Sequence, residues 1–279
     1  MLALGAMTMD STIGAAARGV LATAEARAKA EAARALAAAW REGLLPAGAA
    51  EAVPDRPARP ALPRLGLPRE VPKRKVTAAL PGRVALLHAL AHIELNAVDL
   101  AADLLARFAP PSEPAARDAW TGDWLRVLDE EGKHFLLLQD RLAGLGAAYG
   151  DLVAHDGLWQ AAEETAGDLL ARLAVVPLVL EARGLDVTPP MVRQFEAAGD
   201  AATAAVLRRI YEDEKGHVFV GASWFRYLCD REGEAPEPRF HALVRKHFRA
   251  ALKPPFNDRA RSSACLTPGF YRPLETVRT

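Results

Sequence analysis

Arg126-Val-Leu-Asp-Glu-Glu131-Gly-Lys-His134-Phe and Arg209-Ile-Tyr-Glu-Asp-Glu214-Lys-Gly-His217-Val are near-echoes of one another. Each carries a Glu-x-x-His pair. Positions i and i+3 share one face of a helix, so each pair offers a carboxylate and an imidazole to one point. A lone glutamate precedes each pair in an apolar, helix-like run. Glu94 lies 37 residues before Glu131, and Glu181 lies 33 before Glu214. A single Glu-x-x-His is more often a solvated surface pair. Here the neighbours on the same face are apolar: Leu128, Phe135 and Leu138 around the first pair, Ile210, Val218 and Gly221 around the second. Glu94 sits among Leu90, Ala91 and Val98, and Glu181 follows Val175-Val-Pro-Leu-Val-Leu180, the most apolar run in the chain. Carboxylates on four core faces need a compensating cation, because burying an unpaired charge is costly.

Two lone Glu plus two Glu-x-x-His, drawn from four helices, is the ligand set of a carboxylate-bridged di-iron or di-manganese bundle. The expected metal ligands are therefore Glu94, Glu131, His134, Glu181, Glu214 and His217. Carboxylates bridge or chelate the ions and offset their mutual repulsion, and imidazole is a borderline donor suited to iron. No catalytic residue is expected beyond the metal centre except Tyr211, one turn before Glu214, whose plainer role is a core aromatic. Asp99, Asp129 and Asp213 are candidates for orienting the histidine rings. His88 and His92 are read as packing or rim residues, since His92 falls nearly opposite Glu94 at about 100° per residue.

The rest of the chain frames this bundle. With 279 residues it can bury a large core, and 35 Lys plus Arg balance 35 Asp plus Glu, which predicts no general attraction to nucleic acid or anionic lipid. Cys229 and Cys265 form no Cys-x-x-Cys, which argues against a disulfide scaffold, a zinc ribbon or a rubredoxin-type iron site and favours a reducing cytoplasm. Met1–Met9 is apolar but lacks a basic lead, so it is a poor signal peptide, and no membrane span is expected. Residues 1–45 are read as an alanine-rich helical arm. Residues 46–82, with eight prolines from Pro46 to Pro81, are read as an extended connector that wraps the bundle through Leu62, Leu65, Leu67 and Val71.

Residues 83–230 are the four-helix bundle. Its helices are expected over Val84–Phe108, Ser112–Leu145, Leu158–Leu185 and Ala201–Cys229. Thr188-Pro-Pro is read as the cap of a separate short helix, and Pro177 as a kink or bulge that aims Glu181 inward. Residues 231–279 are read as a basic helix, Arg239–Leu252, followed by a non-helical tail. Arg239–Arg261 holds nine Lys, Arg and His residues against one acid, Asp258. That run is a solvated face unless it binds an anionic substrate. Nothing has the period of a strand, so the fold class is all-α.

At this level the chain resembles the ferritin-like superfamily over about residues 83–230, on all six ligands. More narrowly it resembles a bacterial ferritin-like family, domain of unknown function 455. The residues that carry this are Leu87-His-Ala-Leu-Ala-His-Ile-Glu94-Leu, Leu180-Glu-Ala-Arg-Gly-Leu-Asp-Val-Thr-Pro189 and Pro255-Phe-Asn-Asp-Arg-Ala-Arg261. Glu181-Ala-Arg183 with the two Glu-x-x-His pairs is also similar to the di-iron hydroxylases that modify tRNA. Several superfamily members fit poorly. The four-cysteine module of rubrerythrin-like peroxidases is absent. Glu94 and Val98 stand where ribonucleotide reductase small subunits carry Asp and a radical Tyr. Long flanking segments would hinder a ferritin cage.

The resemblance implies an O2-dependent oxygenase or hydroxylase holding two Fe ions, or Mn. Its partners would be a small-molecule or RNA substrate, an electron donor and, in a homodimer, a second copy, with no membrane. The competing reading is a metal-handling protein: ferroxidase, peroxide scavenger or iron store. A third is a structural protein with a vestigial site.

Overall fold

The computed structural model describes residues 12–50, 52–66, 70–71, 79–248 and 250–275. Met1–Met9 and Leu67, named above, and residue 249 of the basic run lie outside them. The protein is all-α; among the described residues only isolated bridges, Leu65 with Ala154 and Leu252 with Glu275, have β character. The chain divides into two compact units, Met1–Trp159 and Gln160–Thr279.

The first unit is built from α1 (Ile13–Ala22), α2 (Ala26–Arg41), α3 (Leu80–Arg107) and α4 (Pro114–Ala143). Their starts follow from local chemistry. Thr12 accepts from Ala15 N at the head of α1, and Glu25 and Glu113 each accept from two amides at the heads of α2 and α4. Pro81 and Pro114 sit in first turns, where proline costs little. α3 packs on α4, α2 on α4 and α1 on α3, so the N-terminal helices are layers of the core.

α3 was expected to turn the face around Glu94 to the core, and nearly every residue from Leu86 to Ala106 is in fact buried. A helix apolar all round is a core helix, and here α1, α4 and the connector enclose it. It is also the one described helix long and apolar enough to cross a membrane, with 78% of its most apolar window buried inside the fold.

The connector wraps this unit, with Val71 half-buried as expected but Leu62 and Leu65 not. Leu62 and Leu65 are exposed, and Pro57 and Pro63 are buried instead. Backbone bonds hold the path. Ala50 N donates to Ala106 O, Ala58 N to Leu21 O and Gly66 N to Ala154 O, while the carbonyls of Pro54, Asp55 and Ala58 accept from Arg107, Trp159 and Lys29. Lys29, fully buried, also reaches Asp99 at 2.5 Å, and Arg59 lies 3.1 Å from the other oxygen of Asp99.

α5 (Gly157–Glu164) carries the junction between the units. The second unit continues with α6 (Leu169–Val175), a π turn over Val176–Glu181, α7 (Ala182–Ala197), α8 (Ala201–Glu232) and α9 (Pro236–His247). The third helix expected over Leu158–Leu185 is therefore broken. Asp168 accepts from Ala171 N and starts α6 afresh, and the fully buried Arg172 donates to Thr165 Oγ1 and Ala162 O, clamping the break.

Pro177 does produce a distortion: it sits at the start of the π turn, because it has no amide to give residue 173. α8 passes close by, and a Cβ on Gly221 would lie 2.5 Å from Pro177 Cβ.

Two further expectations for this unit fail. Pro189 and Pro190 lie inside α7 rather than capping a new helix. Pro189 cannot bond to Leu185 O, and that carbonyl instead accepts from Asn257 Nδ2 at 3.1 Å. The tail is not irregular either. It forms α10 (Asp258–Ser263), started by Asn257, then α11 (Pro268–Tyr271) and a 3-10 turn, Arg272–Leu274. Ala260, Ala264, Leu266, Phe270, Tyr271 and Leu274 are buried.

Candidate metal centre

Each unit assembles one triad. In the first, α3 presents Glu94 and α4 presents Glu131 and His134 one turn apart. His134 Nδ1 lies 3.5 Å from Glu94 Oε2 and 3.5 Å from Glu131 Oε2. All three are buried, with Glu131 and His134 at 1% and 0% exposure. In the second, the end of the π turn presents Glu181 and α8 presents Glu214 and His217, with His217 Nδ1 3.6 Å from Glu214 Oε1. Glu214 and His217 are buried and Glu181 is half-buried. Within each triad one donor atom per residue lies within 4.8 Å of the others.

The donor set fits a metal. Two carboxylates so close together repel unless a cation sits between them, and two negative charges with a neutral imidazole match one divalent ion. The surroundings are apolar: Leu128, Phe135 and Leu138 flank the first triad on α4, and Ile210 and Val218 flank the second on α8, all buried.

The other candidates are placed elsewhere or differently. Asp99 is held by Lys29 and Arg59 within the core, and burial pushes its carboxyl up while it pulls the Lys29 ammonium down. Asp129 pairs with Arg34 and Arg41. Both carboxylates answer arginine and lysine rather than orienting a histidine. Asp213 lies 3.3 Å from Arg209 on its own helix.

His88 and His92 are packing residues, as expected. His88 Nε2 accepts from Gly150 N at 3.0 Å, and His92 Nδ1 accepts from the Tyr149 hydroxyl at 2.8 Å while its Nε2 donates to His155 O at 3.1 Å. Together they fasten the loop after α4. Burial lowers the His92 pKa from 6.5 to about 4, which keeps the ring neutral. Tyr211 is half-buried, its hydroxyl accepting from Asn257 Nδ2 and its ring covered by Lys215.

Sequence reasoning missed the residues that fix α7. Asp186 takes a two-pronged bond from Arg261, Nε to Oδ1 at 2.9 Å and Nη2 to Oδ2 at 2.7 Å, and accepts from Asn257 N. The pairing was present in the segments Glu181–Pro189 and Pro255–Arg261. What hid it was the reading of the tail as irregular.

A family model described as protein of unknown function (DUF455) matches residues 22–272. A protein of Haemophilus influenzae, described only as uncharacterized, is 41% identical over 210 residues, which covers 75% of this chain and 73% of that one. No solved structure matches. Both triads and the tail segment that holds α7 fall inside the matched residues, and the chain belongs to the DUF455 family.

Proposed function

We propose that this protein is a ferritin-like di-iron oxygenase or hydroxylase dependent on O2, with manganese as the alternative metal. Glu94, Glu131 and His134 hold one ion, and Glu181, Glu214 and His217 hold the other. The observation that carries this reading is the repetition of one Glu/Glu/His triad in each unit, buried except for the half-buried Glu181. Bound iron supplies one-electron redox chemistry and O2 activation, which side chains alone cannot provide.

The chain's own residues do the rest. Four carboxylates balance the charge of two divalent ions. His134 and His217, each fully buried, add neutral donors held in one orientation by packing. Leu128, Phe135, Leu138, Ile210 and Val218 keep bulk water from the ligands, which protects a reactive oxidant from side reactions.

The test is anaerobic Fe(II) titration followed by stopped-flow oxidation with O2, with and without small-molecule and RNA pools. Two Fe per chain, and oxidation whose rate or stoichiometry depends on a pool, is the expected result. Rapid oxidation that no pool alters, with ferric iron accumulating beyond two per chain, would replace the oxygenase by a ferroxidase or iron store. Failure to bind metal would remove both.

A further inference from the structure

Every polar group of Asn257 is used. Its Oδ1 accepts from Ala260 N and its carbonyl from Arg261 N, which starts α10. Its amide N donates to Asp186 Oδ1 at 2.8 Å. The two hydrogens of Nδ2 go to different helices, one to Leu185 O on α7 at 3.1 Å and one to the Tyr211 hydroxyl on α8 at 3.2 Å. The first of these bonds exists because Pro189 has no amide to give Leu185 O.

The two anchor points have a particular register. Leu185 stands one turn after Glu181, and Tyr211 stands one turn before Glu214, so both lie on the rows that carry the ligands. α7 and α8 pack against each other. One side-chain amide therefore ties the two helices together about 6 Å along the axis from Glu181 and about 4.5 Å from Glu214, taking a rise of 1.5 Å per residue. The brace is itself fixed: Arg261 grips Asp186 through two bonds with its guanidinium over the Tyr271 ring, and Arg183 donates to the carbonyls of Lys253 and Pro255. Glu181 closes the π turn, whose backbone bonds run i→i+5 rather than i→i+4, so its direction is not the one a continuous α-helix through α6 and α7 would set.

We infer that Asn257 is a positioning residue for the second triad. By bonding Leu185 and Tyr211 it sets the spacing of Glu181 from Glu214 and His217, so the tail segment Pro255–Arg261 tunes metal affinity without touching the metal. This rests on the metal reading proposed above.

The test uses the full-length protein, loaded anaerobically with Co(II) as a probe of both affinity and ligand geometry. Asn257→Ser keeps an oxygen acceptor for the α10 start and loses both amide N–H donors, its hydroxyl falling well short of Leu185 and Tyr211. Tyr211→Phe deletes a single oxygen atom and disturbs folding least. Loss of a bond made directly to a ligating side chain weakens metal binding by about 10- to 100-fold, and a brace one step further out should act at the low end of that range. Both variants should bind at least one Co(II) roughly 10-fold more weakly, with shifted d–d bands, while far-UV circular dichroism at the same temperature stays that of the parent.

Wild-type Co(II) affinity and d–d spectra in both variants, whatever happens to the melting temperature, would reduce Asn257 to a packing residue and overturn the inference. A parent protein that binds no Co(II) would remove the metal reading and this inference with it. The two failures are therefore distinguishable.

Discussion

The contact between α8 and the π turn gives the sharpest test of how Glu181 is placed. A Cβ added at Gly221 would lie 2.5 Å from Pro177 Cβ and 2.6 Å from Pro177 Cγ. Carbons in contact settle at about 3.5–4.0 Å, so Gly221→Ala must part the two segments by roughly 1 Å. The proline ring cannot rotate aside. Overpacking of this kind costs about 1–3 kcal/mol, against which alanine's better helix propensity returns about 1 kcal/mol. The net loss is therefore on the order of 1 kcal/mol, which lowers the melting temperature by about 2–4 °C. Because Glu181 closes the same π turn, the displacement should also weaken metal binding by roughly 10-fold. Gly184→Ala is the control, since its Cβ would meet nothing within 4 Å, and it should be neutral or stabilising by up to about 1 kcal/mol. Thermal unfolding and Co(II) titration of the two variants decide the matter. If Gly221→Ala melts no lower than the parent and binds cobalt equally well, the close packing does not position Glu181.

Glu131→Ala and His217→Ala should each lose metal and O2 reactivity together, whereas Arg245→Ala/Lys246→Ala, which alters two exposed residues of α9, should keep two metals per chain by elemental analysis. Lys29→Met breaks a buried pair and should cost about 3–5 kcal/mol in urea unfolding. Adding Asp99→Leu should return much of that loss, and equal stabilities for the single and double variants would contradict the pairing. His92 is neutral in the fold, with its pKa lowered from 6.5 to about 4. The unfolded chain therefore binds the extra proton first, and this contribution is complete above pH 6.5 and lost as the pH falls toward 4. Its full size is about 3 kcal/mol at 1.36 kcal/mol per pH unit. His92→Gln should flatten the stability profile in that window, and an unchanged slope would refute the assignment.

The grouping of Glu94, Glu131 and His134, and of Glu181, Glu214 and His217, was legible because charge on an apolar helix face is costly, so the exceptions stand out. Pro177 was legible for a related reason, since a missing amide must leave a mark on the helix. What escaped the sequence were features whose cause lies far along the chain. Pro189 and Pro190 look like a helix stop until Asn257 supplies the donor for Leu185 O. Asp99 sits near Glu94 in sequence and looks available to the histidines, yet Lys29, 70 residues away, claims it. The all-round burial of α3 could not be read from its own residues, because its outer faces are covered by α1 and by a proline-rich strand of chain held through backbone bonds. The tail's short helices are too brief for periodicity to reveal them.

Gly132 bears on how the protein can be cut or rebuilt. A Cβ there would lie 2.7 Å from the carbonyl oxygen of Ala30, so the backbone of α2 rests directly on α4 between Glu131 and His134. The wall behind that turn is thus made by residues nearly a hundred positions earlier. A fragment begun at residue 83, the boundary that the ligand pattern suggests, would open the back of the first triad to solvent. Any change in the path of α2 would have to be matched by the residue allowed at position 132, which couples the N-terminal helices to the turn of α4 that carries Glu131 and His134.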